Sequence, residues 1–312
     1  MITSPTPLSP TRASLPTWLR AIRAPSLTAT FMPSLATLLL GLALGWELRP
    51  ALALLAVLGV LAVQIGVNLM NDVEDDARRI DAPGALGGSG VIQAGLVSAE
   101  AMRRVARAAF ALGLALGLPA LVAEPALLVV VALAALGAWG YSGGPGLKYR
   151  ALGDVAVVTL CGPVLTVGFA LAAFGAASLE VVALGLAFGF AALGILHVNN
   201  LQDMEVDARA GARTVALALG RSGARIYLVV VYALALVAWP VGALVAGLPA
   251  VAAILPALAA APIGALVTRL WRAAAAPGGL ADPRLALVRV DAAKAHLALG
   301  ALVSLGLVLS SL

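Results

Sequence analysis

Apolar runs of about 20 residues recur along this chain, each long enough to cross the ~30 Å hydrocarbon layer of a bilayer as a helix. That repetition constrains the fold more than any other feature. In lipid every backbone N–H and C=O needs a partner within the protein, so only helices and closed barrels span. Barrel strands would read as alternating segments of about 10 residues, and none appears. Composition agrees. Of 312 residues 62% are hydrophobic and 11% charged, against about a quarter charged in soluble domains. The 33 glycines, set among Ala, Ser and Thr, suit helices that pack closely in lipid. The expected fold class is an all-α polytopic membrane protein with about nine transmembrane helices.

The spans are expected near 26–46, 51–70, 104–122, 125–142, 155–174, 179–200, 223–246, 249–271 and 290–311. Residues 1–25 form an N-terminal segment with Arg12, Trp18, Arg20 and Arg23, and 26–312 form a single transmembrane domain. No cleavable signal peptide is evident, because 1–24 lack an apolar core. With the N-terminus inside, every Lys and Arg except Arg49 falls on an inner loop or the helix end bordering it. Positive charge collects on cytoplasmic loops, so this asymmetry orients the chain. It also accounts for the net charge of +5 without nucleic acid as a partner. The lone Cys161 allows no internal disulfide.

The acids are gathered in two places. Asp72, Glu74, Asp75, Asp76 and Asp81 follow the second span, and Asp203, Glu205 and Asp207 follow the sixth, making eight of the chain's 15 acidic residues. Asn68, Asp72 and Asp75 share one helix face, with Asn71 at its border; Asn200, Asp203 and Asp207 share another. Asn199 adjoins the second set. Hard cations such as Mg²⁺ take oxygen ligands, commonly one or two carboxylates completed by substrate phosphates. An isolated Asp at a helix end is ordinarily a solvated cap. Two such groups on one face of a chain this poor in charge read instead as halves of one metal–diphosphate site, since ionisable groups set against a membrane are costly and usually functional. A third inner loop carries Tyr141, Lys148, Tyr149 and Arg150, cations and phenols suited to phosphate. Arg78, Arg79, Arg209 and Arg213 lie beside the acids and read either as diphosphate contacts or as ordinary loop charge. The glycine-rich stretch 84–90 lacks the GxxxxGK[ST] phosphate loop and reads as a cover or a turn. His197 and His296 are too few for a metal centre; a packed neutral histidine is the simpler reading of His197.

In order, the motifs Asn71-Asp72-x-x-Asp75-x5-Asp81, Gly87-Gly88-Ser89-Gly90, Leu147-Lys148-Tyr149-Arg150-Ala151-Leu152-Gly153-Asp154 and Asn199-Asn200-Leu201-Gln202-Asp203-Met204-Glu205-Val206-Asp207, closed by Gly211-Ala212-Arg213-Thr214, resemble the UbiA superfamily of intramembrane prenyltransferases. They are most similar to its 1,4-dihydroxy-2-naphthoate polyprenyltransferase, or MenA-type, branch. The resemblance implies helices around a central cavity and transfer of a polyprenyl group from an allylic diphosphate to an aromatic acceptor, with loss of CO₂ in that branch. It implies Mg²⁺ held by Asn68, Asn71, Asp72, Asp75, Asn200, Asp203 and Asp207, and catalysis through Asp72, Asp75, Asp203, Asp207 and Lys148. Arg79, Asp81, Tyr141, Tyr149, Arg150, Asn199 and Arg213 would bind substrate, and Asp81 or Asp76 would orient the acceptor. Site and diphosphate would lie near the cytoplasmic face of the cell membrane, with the tail reaching in from membrane lipid. Two positions depart: the branch carries a basic residue after the last Asp and Gly-Lys-Arg-Thr beyond it, where this chain has Ala208 and Ala212. The acceptor therefore stays open among naphthoate, 4-hydroxybenzoate, homogentisate, a chlorin, a haem or a glycerol phosphate. A cation-coupled transporter and a non-catalytic scaffold are the readings from other classes.

Overall fold

The computed structural model describes residues 14–78, 88–274 and 287–311. Among these residues it is helical throughout, in the order α1 (Leu15–Ala21), α2 (Thr28–Ala43), α3 (Pro50–Ala77), α4 (Ala99–Ala123), α5 (Leu127–Ser142), α6 (Gly153–Thr159), α7 (Leu165–Phe174), α8 (Leu179–Arg209), α9 (Val215–Val245), α10 (Ala250–Ile254), α11 (Ala260–Ala274) and α12 (Val288–Ser310). Eight helical stretches among the described residues are long and apolar enough to cross a membrane, and Leu127–Tyr141 is a shorter ninth apolar helix. These fall where the nine apolar runs place them.

Three spans are interrupted, α9 by the non-helical Gly220 near its start. Between α6 and α7 the chain passes through a wide turn, Leu160–Val164, around Pro163, where Gly162 leaves helical geometry. Proline removes a donor and crowds the preceding turn, so a run that looks continuous by hydropathy bends here. A 3₁₀ turn, Leu255–Ala259, likewise joins α10 to α11.

The helices meet through small residues, as close contact in lipid requires. A Cβ on Gly189 of α8 would lie 2.3 Å from the Val158 carbonyl oxygen of α6, so only glycine permits that approach. Large side chains fill the space behind. Leu40, Leu184, Phe188, Tyr232, Trp239 and Leu299 form one core among α2, α8, α9 and α12. A smaller cluster, with Ala21, Leu69, Val73 and Met102, ties α1 to α3 and α4. On α4 and α5 Leu112, Val122, Leu128, Val129 and Leu136 are exposed, which suits contact with acyl chains.

α3 is 28 residues long and α8 is 31. At ~1.5 Å per residue each exceeds the hydrocarbon thickness. The excess turns at their C-terminal ends carry the two acidic motifs.

Candidate active site

Both motifs, the Lys148 loop and the apolar faces of α3, α4 and α5 line one cavity of about 1030 Å³. At its polar end are Asn68, Asn71 and Asp75 from α3, Asn199, Asn200, Asp203 and Asp207 from α8, Tyr141 from α5, and Lys148 and Tyr149 between α5 and α6. Its apolar wall includes Val63, Phe110, Leu114, Leu118, Val131 and Trp139.

Three acids of the two motifs, Asp72, Asp75 and Asp203, are each met by a cation. Asp75 is 4% exposed. It accepts from Lys148 Nζ at 2.7 Å and from the Tyr149 hydroxyl at 2.6 Å. Lys148 also donates to Asn71 Oδ1, so one ammonium spans two residues of the first motif. The Arg78 guanidinium stacks 4.6 Å from the Tyr149 ring centre. Burial, and then the neighbouring Asp75 charge, raise the Tyr149 phenol well above its ordinary value, which keeps it a neutral donor. Asp203 of the second motif accepts a two-point contact from Arg289 Nη2, at 2.9 and 2.8 Å, while Arg289 Nε donates to Gln202 Oε1 at 2.8 Å. Asp203 lies within electrostatic range of Asp75 and Arg23, so the two motifs share one field.

Asp72 behaves differently. Arg23 pairs with Oδ1, and the Ser89 amide donates to Oδ2 at 3.1 Å. The same strap is closed by Arg20 Nε, which donates to the Ser89 carbonyl at 2.6 Å. Asp72 thus points at the N-terminal segment and is absent from the cavity lining, although Arg23 itself lines the cavity. Asn68 is similarly engaged: its Nδ2 donates to the Ile22 carbonyl at 2.8 Å and to Ser26 Oγ at 3.1 Å.

Arg150 and Arg213 meet through their backbones. Arg213 N donates to the Tyr149 carbonyl at 3.0 Å, and Ala151 N donates to the Arg213 carbonyl at 2.6 Å. This short bridge fastens the segment after α8 to the Lys148 loop. Neither arginine is in the cavity lining. Arg79 and Asp81 lie outside the described residues, as does most of the glycine-rich stretch. His197 is fully buried, with Nε2 against the Ala224 carbonyl at 2.8 Å and its ring 4.8 Å from that of Tyr227; it is a packed histidine.

Among the described residues no three His, Cys, Asp or Glu converge into a ready-made metal cage. The donor set is instead two open half-sites of carboxylate and amide oxygens, each already answered by a guanidinium or an ammonium. That fits a hard divalent cation completed by substrate oxygens. Sequence reasoning passed over Arg23 and Arg289, which read there only as inner-side charge. In sequence Arg289 borders the final span, in a charged stretch with Asp291 and Lys294.

The profile of the UbiA prenyltransferase family matches residues 30–278. The chain belongs to that family. The matched family is one of prenyltransferases, and the chain's helices are long and apolar enough to cross a membrane. Among curated relatives, the 1,4-dihydroxy-2-naphthoate octaprenyltransferase of Mycobacterium tuberculosis is 34% identical over 175 residues, covering 55% of this chain and 60% of that protein. The Escherichia coli protein of the same name is 29% identical over 222 residues, 67% of this chain and 70% of its own length. A UbiA homologue from Archaeoglobus fulgidus, solved with GPP and Mg²⁺, shares the fold at a TM-score of 0.62 and 19% identity, over 92% of this chain and 99% of that one. A UbiA homologue from Aeropyrum pernix does so at 0.67 and 20%, over 93% and 99%.

Proposed function

We propose that this protein moves a polyprenyl group from an allylic diphosphate to 1,4-dihydroxy-2-naphthoate, with release of CO₂, as a step in menaquinone biosynthesis. The observation that carries the reading is one cavity lined by two acidic helix ends and Lys148 and by the apolar walls of α3, α4 and α5. One end suits a diphosphate, the other an isoprenoid. The names of the tuberculosis and E. coli relatives support the naphthoate acceptor.

Asn71, Asp75, Asn200, Asp203 and Asp207 line the cavity and would hold Mg²⁺, which supplies charge neutralisation for the departing pyrophosphate. Asp72 and Asn68 belong to the same face of α3 and hold Arg23 and the N-terminal segment in register with it. Lys148 and Tyr149, already locked onto Asp75, are preorganised donors aimed at developing negative charge. Arg23 adds a planar guanidinium from the other side. The walls from Val63 to Trp139 exclude water from the allylic cation. Arg79, Asp81, Arg150 and Arg213 remain proposed contributors to diphosphate or acceptor binding. The positive charge gathered on this side of the chain supports a location of this end of the cavity at the cytoplasmic face of the cell membrane. Residues 26–312 act as one catalytic domain.

The deciding experiment supplies purified enzyme with radiolabelled polyprenyl diphosphate and a panel of aromatic acids, with Mg²⁺ or EDTA. The expected result is a prenylated, decarboxylated naphthoate that EDTA abolishes and Mg²⁺ restores. Prenylation of another acceptor alone, or turnover indifferent to EDTA, refutes the corresponding half of the proposal.

A further inference from the structure

Asp72, Asp75 and Asp203 each have a basic partner: Arg23, Lys148 and Arg289. Asp154 does not follow that pattern. It is the second residue of α6 and only 6% exposed. Arg150, the cation nearest in sequence, is exposed and outside the cavity lining, and Lys148 is engaged by Asp75 and Asn71. The carboxylate accepts a hydrogen bond from the Tyr227 hydroxyl of α9, and its Oδ2 is buried without a partner among the described residues. A buried carboxylate oxygen left unpaired costs about 1–3 kcal/mol or more.

Helix capping does not account for it. The N-cap residue is Leu152, and no side-chain bond caps α6. The positive end of the helix favours an acid in the first turn, which explains why the charge is tolerated there but leaves Oδ2 idle. Asp154 also lines the cavity, together with Tyr141, Asn199 and Thr214. Asn199 Oδ1 is likewise buried with no partner. Tyr141 belongs to the same patch, since its ring lies 3.7 Å from where a Cβ on Gly153 would stand. Unfilled acceptor oxygens on the cavity wall, apart from the carboxylates that cations already occupy, match a ligand group that donates hydrogen bonds. A diphosphate offers none. A hydroxyarene does.

We propose that Asp154 receives the hydroxyl of the aromatic acceptor and takes its proton as the ring attacks. The inference rests on the transferase reading above. In the step, the ring carbon uses a π electron pair to bond the allylic carbon, while the C–O bond to diphosphate breaks and its pair leaves with pyrophosphate. The hydroxyl proton passes to Asp154 Oδ2, so the ring oxygen becomes a carbonyl rather than an oxonium. Loss of CO₂, or of H⁺ where the acceptor carries no carboxylate, leaves its electron pair in the ring, and the proton returns from Asp154 to oxygen. Tyr227 orients Asp154 from behind.

The test compares wild type with Asp154→Asn, Asp154→Ala and Tyr227→Phe in nanodiscs. Asp154→Asn keeps the shape and removes the base. Its kcat should fall by about 100-fold or more, with KM for the prenyl diphosphate within about twofold. Tyr227→Phe should lower kcat about tenfold with the same unchanged KM. In equilibrium binding, wild type should prefer the hydroxyarene over its methyl ether by at least about tenfold, and Asp154→Ala should erase that preference. A prenyl thiodiphosphate should bind all four proteins alike. Undiminished kcat in Asp154→Asn, or joint loss of acceptor and thiodiphosphate binding, overturns the proposal. Failure of wild type to prenylate any hydroxyarene overturns the function reading and this inference together, whereas normal turnover in Asp154→Asn overturns this inference alone.

Discussion

Asp203 cannot give its oxygens to a metal ion while Arg289 holds both of them. The guanidinium makes contacts of 2.9 and 2.8 Å, and the side chains are 17% and 14% exposed. Removing one partner of a buried ion pair costs about 3–5 kcal/mol. The residual exposure puts this pair near the lower end, about 3 kcal/mol. Arg289→Met in the metal-free protein should therefore lower the unfolding midpoint by roughly 6–12 °C, at about 2–4 °C per kcal/mol for a chain of this size. The five tryptophans make intrinsic fluorescence a suitable probe. If Asp203 exchanges Arg289 for a cation on loading, the two proteins converge at saturating Mg²⁺. By linkage the variant must then bind Mg²⁺ alone more tightly by the same free energy, about 100-fold. Weaker Mg²⁺ binding by Arg289→Met, or an undiminished stability gap at saturating Mg²⁺, would refute the exchange. Asp203 would then be a fixed ion-pair partner rather than a metal ligand.

Lys148→Met leaves Asp75 buried with only Tyr149 as donor; kcat should fall by about 100-fold or more, through loss of an electrostatic donor, with the protein still monodisperse by size exclusion. Tyr149→Phe removes a 2.6 Å bond to a buried carboxylate, so activity should drop about 10- to 100-fold. Because burial and Asp75 raise the phenol's pKa, the neutral form persists past the ordinary value of about 10; a loss of activity below pH 10 that vanishes in Tyr149→Phe would contradict that direction. Ala212 lines the cavity, whereas Ala208 is exposed. Ala212→Lys should therefore lower KM for the prenyl diphosphate about tenfold, Ala208→Lys should leave it unchanged, and equal responses would refute that placement.

The spans were legible because hydropathy is a local property and a bilayer sets its length scale. What hydropathy conceals is backbone detail inside an apolar run. Gly162 and Pro163 break the fifth span, yet both are ordinary in membrane helices. Gly189 was one of many glycines until the 2.3 Å approach to Val158 gave it a reason. Likewise α3 and α8 continue to Ala77 and Arg209, past the expected span ends near 70 and 200. Polar helix formers beyond the membrane edge carry no hydropathy signal.

The site was half legible for a related reason. Carboxylates in a charge-poor chain are conspicuous, and their helical spacing follows from sequence alone. Their partners are not local. Arg23 and Arg289 reach Asp72 and Asp203 across 49 and 86 residues of chain, and in sequence both merge with the basic residues that every inner loop carries. The same blindness explains Asp154. Its motif was visible, but an acid at a helix start reads as a cap until the structure supplies Leu152 as the N-cap and leaves Oδ2 buried and unanswered. In a membrane enzyme, then, the acids locate the site, while which acids are neutralised and which is left bare decides what each one does.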